Sequence, residues 1–238
     1  MEKVVIEKTR GDLEDQRMNQ IKVENLFDLE QTIAKDIFKD VTFPWEVLPK
    51  IKGYILELGA SLSEKDYDMV GEDVWIAKSA KVTPTASING PAIIGPNTEV
   101  RHGAFIRGNV IVGEDCVVGN STELKNVILF NQVQVPHYNY VGDSILGHKA
   151  HMGAGSITSN VKSDKGLVVV KSATEKIETG LKKFGAMIGD EVEIGCNAVL
   201  NPGCVIGRNA NIYPVVSVRG IVPANHIYKS LKEVIEKR

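Results

Sequence analysis

Large apolar residues recur at every sixth position along most of this chain. Counted from Val70, they fall at Ile76, Val82, Ile88, Ile94, Val100, Ile106, Val112, Val118, Leu124 and Phe130 without a miss. A short run, Leu146 and Met152, follows, and then Ile188, Ile194, Leu200, Ile206, Ile212 and Val218. Neither the 3.6-residue period of a helix nor the two-residue alternation of a strand yields six. Four places after each large residue stands a mostly small or slim one: Val74, Ala80, Ala86, Ala92, Thr98, Ala104, Val110, Cys116, Thr122 and Ile128, then Ala198, Cys204 and Ala210. A narrow interior that holds one large side chain per short face leaves little room beside it. Glycine often follows the large residue, as at Gly95, Gly113, Gly147 and Gly189, where a tight corner favours a residue without Cβ. This pattern predicts an all-β parallel solenoid in which each coil buries its neighbour. It makes Cys116 and Cys204 packing residues and sets Cys196 at a different place in its turn.

Other segments do not follow the period. Residues 1–64 read as a helical segment that caps one solenoid end or mediates subunit contacts. Leu26, Leu29, Ile33 and Ile37 have helical spacing behind Asn25 as N-cap, and Pro44 opens a second helix carrying Val47, Leu48, Ile51, Ile55 and Leu58. Residues 65–223 form the solenoid. Over 224–238, Ile227, Leu231, Val234 and Ile235 predict a short amphipathic C-terminal helix. Phe130 to Leu146 is sixteen residues where the period asks for eighteen. A longer excursion over 158–186 carries Val168-Val169-Val170 and Lys176-Ile177-Glu178 about a polar turn, which predicts a protruding β-hairpin. Such excursions are commonly functional, although a structural arm would look the same.

Composition narrows the classes of function. Hydrophobic residues at 43% and charged ones at 24% suit a soluble globular protein. A net charge of -2 offers no electrostatic case for nucleic acid or an anionic membrane. The opening Met1–Lys8 stretch lacks the apolar run of a secretion signal, and no segment is long enough to span a bilayer. Three cysteines make no disulfide framework, which points to a reducing, cytoplasmic setting.

Candidate chemistry begins with Arg107 and Lys125, which are eighteen residues apart, as are Asn89 and Arg107. With three hexapeptides per coil they stack on one edge, and two stacked cations repel unless an anion or carboxylate lies between them. A phosphate would satisfy both; so would glutamates such as Glu123, with both cations solvated. His137, in the irregular Pro136–Tyr140 turn, could accept a proton, although a lone surface histidine is usually inert. His137, His148 and His151 lack a metal-ligand motif, and neither a nucleophile elbow nor a G-x-x-x-x-G-K-[ST] loop is present.

Three stretches carry a resemblance. They are Val118-Gly119-Asn120-Ser121-Thr122-Glu123-Leu124-Lys125-Asn126, Pro136-His137-Tyr138-Asn139-Tyr140-Val141-Gly142-Asp143, and Gly153-Ala154-Gly155-Ser156-Ile157-Thr158-Ser159-Asn160. Over roughly residues 70–222 the chain resembles the C-terminal acetyltransferase domain of bifunctional N-acetylglucosamine-1-phosphate uridylyltransferases. It is most similar to the archaeal-type sugar-1-phosphate nucleotidylyltransferases, whose insertion ends like Thr179–Ala186. The resemblance implies a left-handed β-helix, a homotrimer with active sites between subunits, and acetyl-CoA as co-substrate. It places the sugar-phosphate site at Arg107, Lys125, Tyr140 and Asn160, with Asn160 also serving catalysis, and the general base at His137. The same likeness places coenzyme contacts at Ala154, Cys196 and Pro214, and an oxyanion-binding backbone N–H near Ala154 or Gly155. The chain departs from the family where His151 replaces an asparagine, where Val161-Lys162-Ser163 replaces Tyr-Asp-Gly, and at Cys196 and Pro214. A nucleotidyltransferase domain is absent from the sequence, so nucleotidyl transfer is not expected of it. The expected activity is acetylation of glucosamine-1-phosphate or galactosamine-1-phosphate. Against it stand a non-catalytic sugar-phosphate-binding or scaffolding partner of a separate nucleotidyltransferase, and a bare trimerisation module.

Overall fold

The computed structural model describes residues 19–171, 176–230 and 232–237; Met1–Lys8 and Leu231 lie outside them. The hexad strands stack in parallel into a solenoid with three faces. The first face runs through Val74–Ala77, Ala92–Ile94, Val110–Val112, Val127–Leu129, Ser144–Leu146, Ala186–Ile188, Cys204–Ile206 and Ile221–Val222. The second runs from Lys81–Val82 through Glu99–Val100, Val117–Asn120, Gln134–His137, His151–Met152, Glu193–Ile194 and Asn211–Ile212 to His226–Ser230. The third comprises Ser87–Ile88, Phe105–Ile106, the first halves of Glu123–Leu129 and Tyr140–Leu146, Ile157–Thr158, Val199–Leu200 and Ser217–Val218.

From Ile94 to Val218 the counted large residues are buried. The small interior position accepts Thr and Cys because their polar atoms find carbonyls within the coil. Thr98 donates to the Gly113 oxygen, Thr122 to the Val135 oxygen and Cys204 to the Val218 oxygen. Burial pushes the Cys116 and Cys204 thiols up to about 12, while Cys196 is exposed.

Several expectations are corrected. Val70 is not a repeat residue: it is 61% exposed, on a strand (Tyr67–Gly71) that pairs antiparallel with Val74–Ala77. Nor is Phe130, since Leu129 stands opposite both Val112 and Leu146. Ile128 accordingly faces outward, and Val127 takes the small position opposite Val110. The irregularity is two coils of seventeen residues, each with one shortened corner. Ile106 and Val110 are joined through Arg107-Gly108-Asn109, whereas Leu124 and Val127 are joined through Lys125-Asn126 alone. Gly142-Asp143 repeats the short corner one coil on, so Glu123–Leu129 and Tyr140–Leu146 run through it as unbroken strands.

Phe130 instead points off the coil into the N-terminal segment, with its ring centroid 5.1 Å from Phe27 and 5.9 Å from Phe38. That segment lies along the first face rather than over an end. Its helix Ile51–Ser61 packs on the strands at Ala92–Ile94, Val110–Val112 and Val127–Leu129. The Trp45 ring lies tilted against Phe184, centroids 5.6 Å apart, and the Leu48 carbonyl accepts from Asn126. Its cover explains an outward apolar column, Ile93, Ile111, Ile128, Ile145, Met187 and Val205, of which every member is fully buried.

The first predicted helix is broken into Val23–Leu26 and the 3₁₀ turns Leu29–Gln31 and Lys35–Phe38. Lys22, not Asn25, is the N-cap residue of the first piece. Asp28 and Thr32 turn their side chains onto the N–H groups of Glu30 and Ala34, which competes with helix propagation. Pro44 does open the second, as a 3₁₀ turn over Pro44–Lys50 that leads into Ile51–Ser61. The predicted C-terminal helix is a hairpin, His226–Ser230 against Glu233–Glu236, because the last coil presents an open strand edge to pair with. The inserted hairpin forms as expected, Val169–Lys171 against Lys176–Glu178. Among the described residues no helix is long and apolar enough to cross a membrane.

Phe130→Ala should cost about 3–5 kcal/mol of unfolding free energy, read by chemical denaturation, because it empties a fully buried aromatic site. In the native protein a thiol reagent should modify Cys196 alone; Cys116 and Cys204 should react only after unfolding.

Candidate functional site

The register of the coils sorts the chemically interesting residues into two columns. At the corner between the second and third faces, His137 follows Asn120 in register, and the same position on the next coils is Ala154, Cys196 and Pro214. The corner between the third and first faces carries Asn89, Arg107, Lys125, Gly142, Ser159, Asn201 and Arg219, one per coil. Between the columns lies the third face, only Tyr140-Val141-Gly142 wide at the His137 coil. At about 3.3 Å per residue that is roughly 10 Å.

In the second column the two cations nearest His137, Arg107 and Lys125, each have an acidic partner. Arg107 Nη1 lies 2.7 Å from Glu123 Oε1, which holds the guanidinium above its ordinary pKa. Lys125 Nζ lies 3.2 Å from Asp143 Oδ2. Asp143, absent from the sequence-based candidates, is the hub of this corner. It is 4% exposed and also accepts from Asn126 Nδ2 at 2.9 Å and from Asn160 Nδ2 at 2.6 Å. Asn160 further donates to the Tyr140 hydroxyl at 3.2 Å. Burial is the leading cause that raises the Tyr140 phenol, with the Asn160 bond opposing it. The short corners produce this cluster: one residue fewer between strands leaves Asn126 and Asp143 directly stacked, both at positive φ. Four of the predicted residues, Arg107, Lys125, Tyr140 and Asn160, thus sit on one edge.

His137 sits across the face from that cluster. Its side chain is exposed, and its backbone N–H is held by Asn139 Oδ1 at 3.1 Å. Among the described residues Asn160 makes no hydrogen bond to it. The buried Asn139 side chain ties the His137 turn to the next coil through Gly153 and Ser156. The Gly155 N–H donates to the His137 carbonyl at 3.0 Å and so is not free for an oxyanion. The Ala154 N–H has no acceptor among the described residues.

Beyond His137 on this edge, Cys196 and Pro214 line one groove of about 490 Å³ with His151, Ile194, Tyr213 and Ile227. The Val215 N–H caps the Cys196 carbonyl at 2.9 Å, and His151 Nδ1 lies 2.8 Å from Glu193. The groove begins at His151 and Gly153, on the coil that carries Ala154, one coil beyond His137.

Comparison with known proteins agrees with the resemblance seen in the motifs. Residues 88–174 match the family model described as the GMPPB C-terminal domain. The chain is 31% identical over 210 residues to the bifunctional protein GlmU of Methanococcus vannielii, covering 84% of this chain and 49% of that one. It is 30% identical over 198 residues to the bifunctional sugar-1-phosphate nucleotidylyltransferase/acetyltransferase of Sulfurisphaera tokodaii, covering 75% and 49%. A third relative, an uncharacterised acetyltransferase, YaiX, of Escherichia coli K12, is 29% identical over 182 residues, covering 69% and 77%. The chain therefore spans about half the length of the bifunctional relatives it matches.

Asp143→Ala should destabilise the fold by about 3 kcal/mol in chemical denaturation, because it strands Lys125, Asn126 and Asn160. Asp143→Asn should recover part of that loss.

Proposed function

We propose that this chain is a hexapeptide-repeat N-acetyltransferase that moves the acetyl group of acetyl-CoA onto the amine of a hexosamine-1-phosphate. The observation that carries the reading is the pair of columns. The coenzyme candidates and the candidate base occupy one edge of the third face, and the sugar-phosphate candidates occupy the other. A sugar ring with its phosphate spans such a face, amine towards His137 and phosphate towards Arg107 and Lys125. The name of the Sulfurisphaera tokodaii relative, which pairs sugar-1-phosphate nucleotidylyl transfer with acetyl transfer, supports the same class.

In this reading the amine attacks the thioester carbonyl carbon and the neutral His137 imidazole takes its proton. The Ala154 N–H donates to the developing oxyanion. Collapse breaks the carbon–sulfur bond, and the departing thiolate leaves as the thiol once protonated. Tyr140 and Asn160 line the sugar's path, with Asp143 holding Asn160 and Lys125 in place. Arg107 and Lys125 would bind phosphate only by sharing their protons with Glu123 and Asp143. The clamp is therefore tempered rather than purely cationic, and its affinity should fall with salt. A homotrimer with sites between subunits, and a separate nucleotidyltransferase that consumes the product, complete the proposal.

The competing reading is a sugar-phosphate-binding or scaffolding partner without catalysis, which the engagement of Asn160 with Asp143 and Tyr140 rather than with His137 favours. Acetyl-CoA turnover with glucosamine-1-phosphate and galactosamine-1-phosphate separates the two. His137→Ala should lower kcat by about 10²–10⁴-fold with little change in KM. Arg107→Ala should instead raise KM for the sugar phosphate. Binding of either sugar phosphate without acetylation would establish the competing reading.

A further inference from the structure

Glu123 and Asp143 supply the counter-charge of the stacked cations Arg107 and Lys125. The far end of the same column differs. Arg219 occupies the corner position of Lys125 four coils on, roughly 20 Å away at about 4.8 Å per coil. Among the described residues it makes no ion pair or hydrogen bond. It faces a groove of about 460 Å³ between the coil and the inserted hairpin, which contributes Lys171; the segment leading into the hairpin contributes Lys162. Three cations and, among the described residues, no carboxylate line this groove, in a chain whose acids outnumber its bases, 30 to 28. Lys162 does reach Asp164 at 3.0 Å, but that carboxylate stands outside the groove.

The groove is built rather than incidental. The hairpin is seated on the coil by Val168 and Val170, both fully buried. Two coil corners under it must be glycine. A Cβ at Gly220 (φ +74°) would stand 2.7 Å from the Lys171 carbonyl oxygen, and one at Gly203 (φ +83°) 2.8 Å from Val168 Cγ1. Backbone contact at this range fixes the hairpin against the Arg219 edge. Ser159 and Asn201, the next members of the column, supply neutral polar lining, and Asn201 is held by Ser217 and the Val218 carbonyl. Cations of both kinds, a guanidinium fork and two ammonium groups, with hydroxyl and amide neighbours, are what a phosphate oxyanion requires.

We infer that this groove is a second anion site, which binds a diphosphate or phosphate-ester group under the inserted hairpin. None of the residues assigned to acetyl transfer lines it, although Ser159 and Val161 flank Asn160, and it does not depend on that assignment. The test is titration calorimetry of the full chain at low salt with two probes, inorganic pyrophosphate and glucosamine-1-phosphate. Pyrophosphate should bind saturably, and the affinity should fall as salt is raised. Arg219→Gln and the Lys162→Ala/Lys171→Ala double variant should each weaken it about tenfold with unchanged thermal unfolding, while Lys125→Ala leaves it intact. If glucosamine-1-phosphate binding responds in the same way to Arg219→Gln, the anion is the phosphate of a sugar ester; if only pyrophosphate responds, it is a diphosphate. Absence of saturable pyrophosphate binding overturns the inference, as does a loss that follows Lys125→Ala and not Arg219→Gln.

Discussion

Each coil is tied to the next by parallel backbone hydrogen bonds, over an interior wide enough for one large and one small side chain per face. That steric limit holds the register of the whole molecule. If a coil slips by one residue, its large side chains leave the interior and its outer ones enter it. Because the ladder cannot slip, a residue at a given place on one coil lies directly above its counterpart on the next. Columns of side chains follow from this, and the chemistry of the molecule is organised in columns.

A fixed register also makes small departures consequential. The corner at Lys125-Asn126 and the one at Gly142-Asp143 each lack one residue that their predecessors have. The interior packing is unaffected, because the loss falls where the chain turns and not where it packs. Its effect is to stack Asn126 on Asp143 and to draw a carboxylate into a nearly buried position among Lys125, Asn126 and Asn160. The edge that carries the cations thereby acquires its own counter-charge. Further along the same edge, Lys162 and Lys171 of the insertion join Arg219, and among the described residues no carboxylate lines the groove.

The N-terminal segment shows how a solenoid face becomes a core. Strands of the first face bury both their inner and outer residues, because Phe27, Phe38, Trp45 and the helix Ile51–Ser61 lie across them. This cover leaves the second and third faces exposed, and the candidate residues line the two edges of the third. It was legible in principle: an outward apolar residue on every third hexad, Ile93, Ile111, Ile128, Ile145, marks a strand buried on both sides. Counting only by sixes passes over a signal that returns once per coil.

The sequence by itself determined the solenoid, the interior cysteines, the inserted hairpin and the pairing of Arg107 with Lys125 on one edge. Each depends on a local period or alternation that steric exclusion enforces residue by residue. It did not determine where the count shifts, since Ile128, Leu129 and Phe130 are all large and apolar and any of them satisfies a sixfold count. Only the tertiary structure chose Leu129 for the interior and gave Phe130 to Phe27 and Phe38, through contacts about a hundred residues apart in the chain. The same holds for Asp143 and for the terminal hairpin that amphipathic spacing had read as a helix. In both, the deciding partner is a stacked neighbour or an open strand edge, which the chain meets only once it has folded.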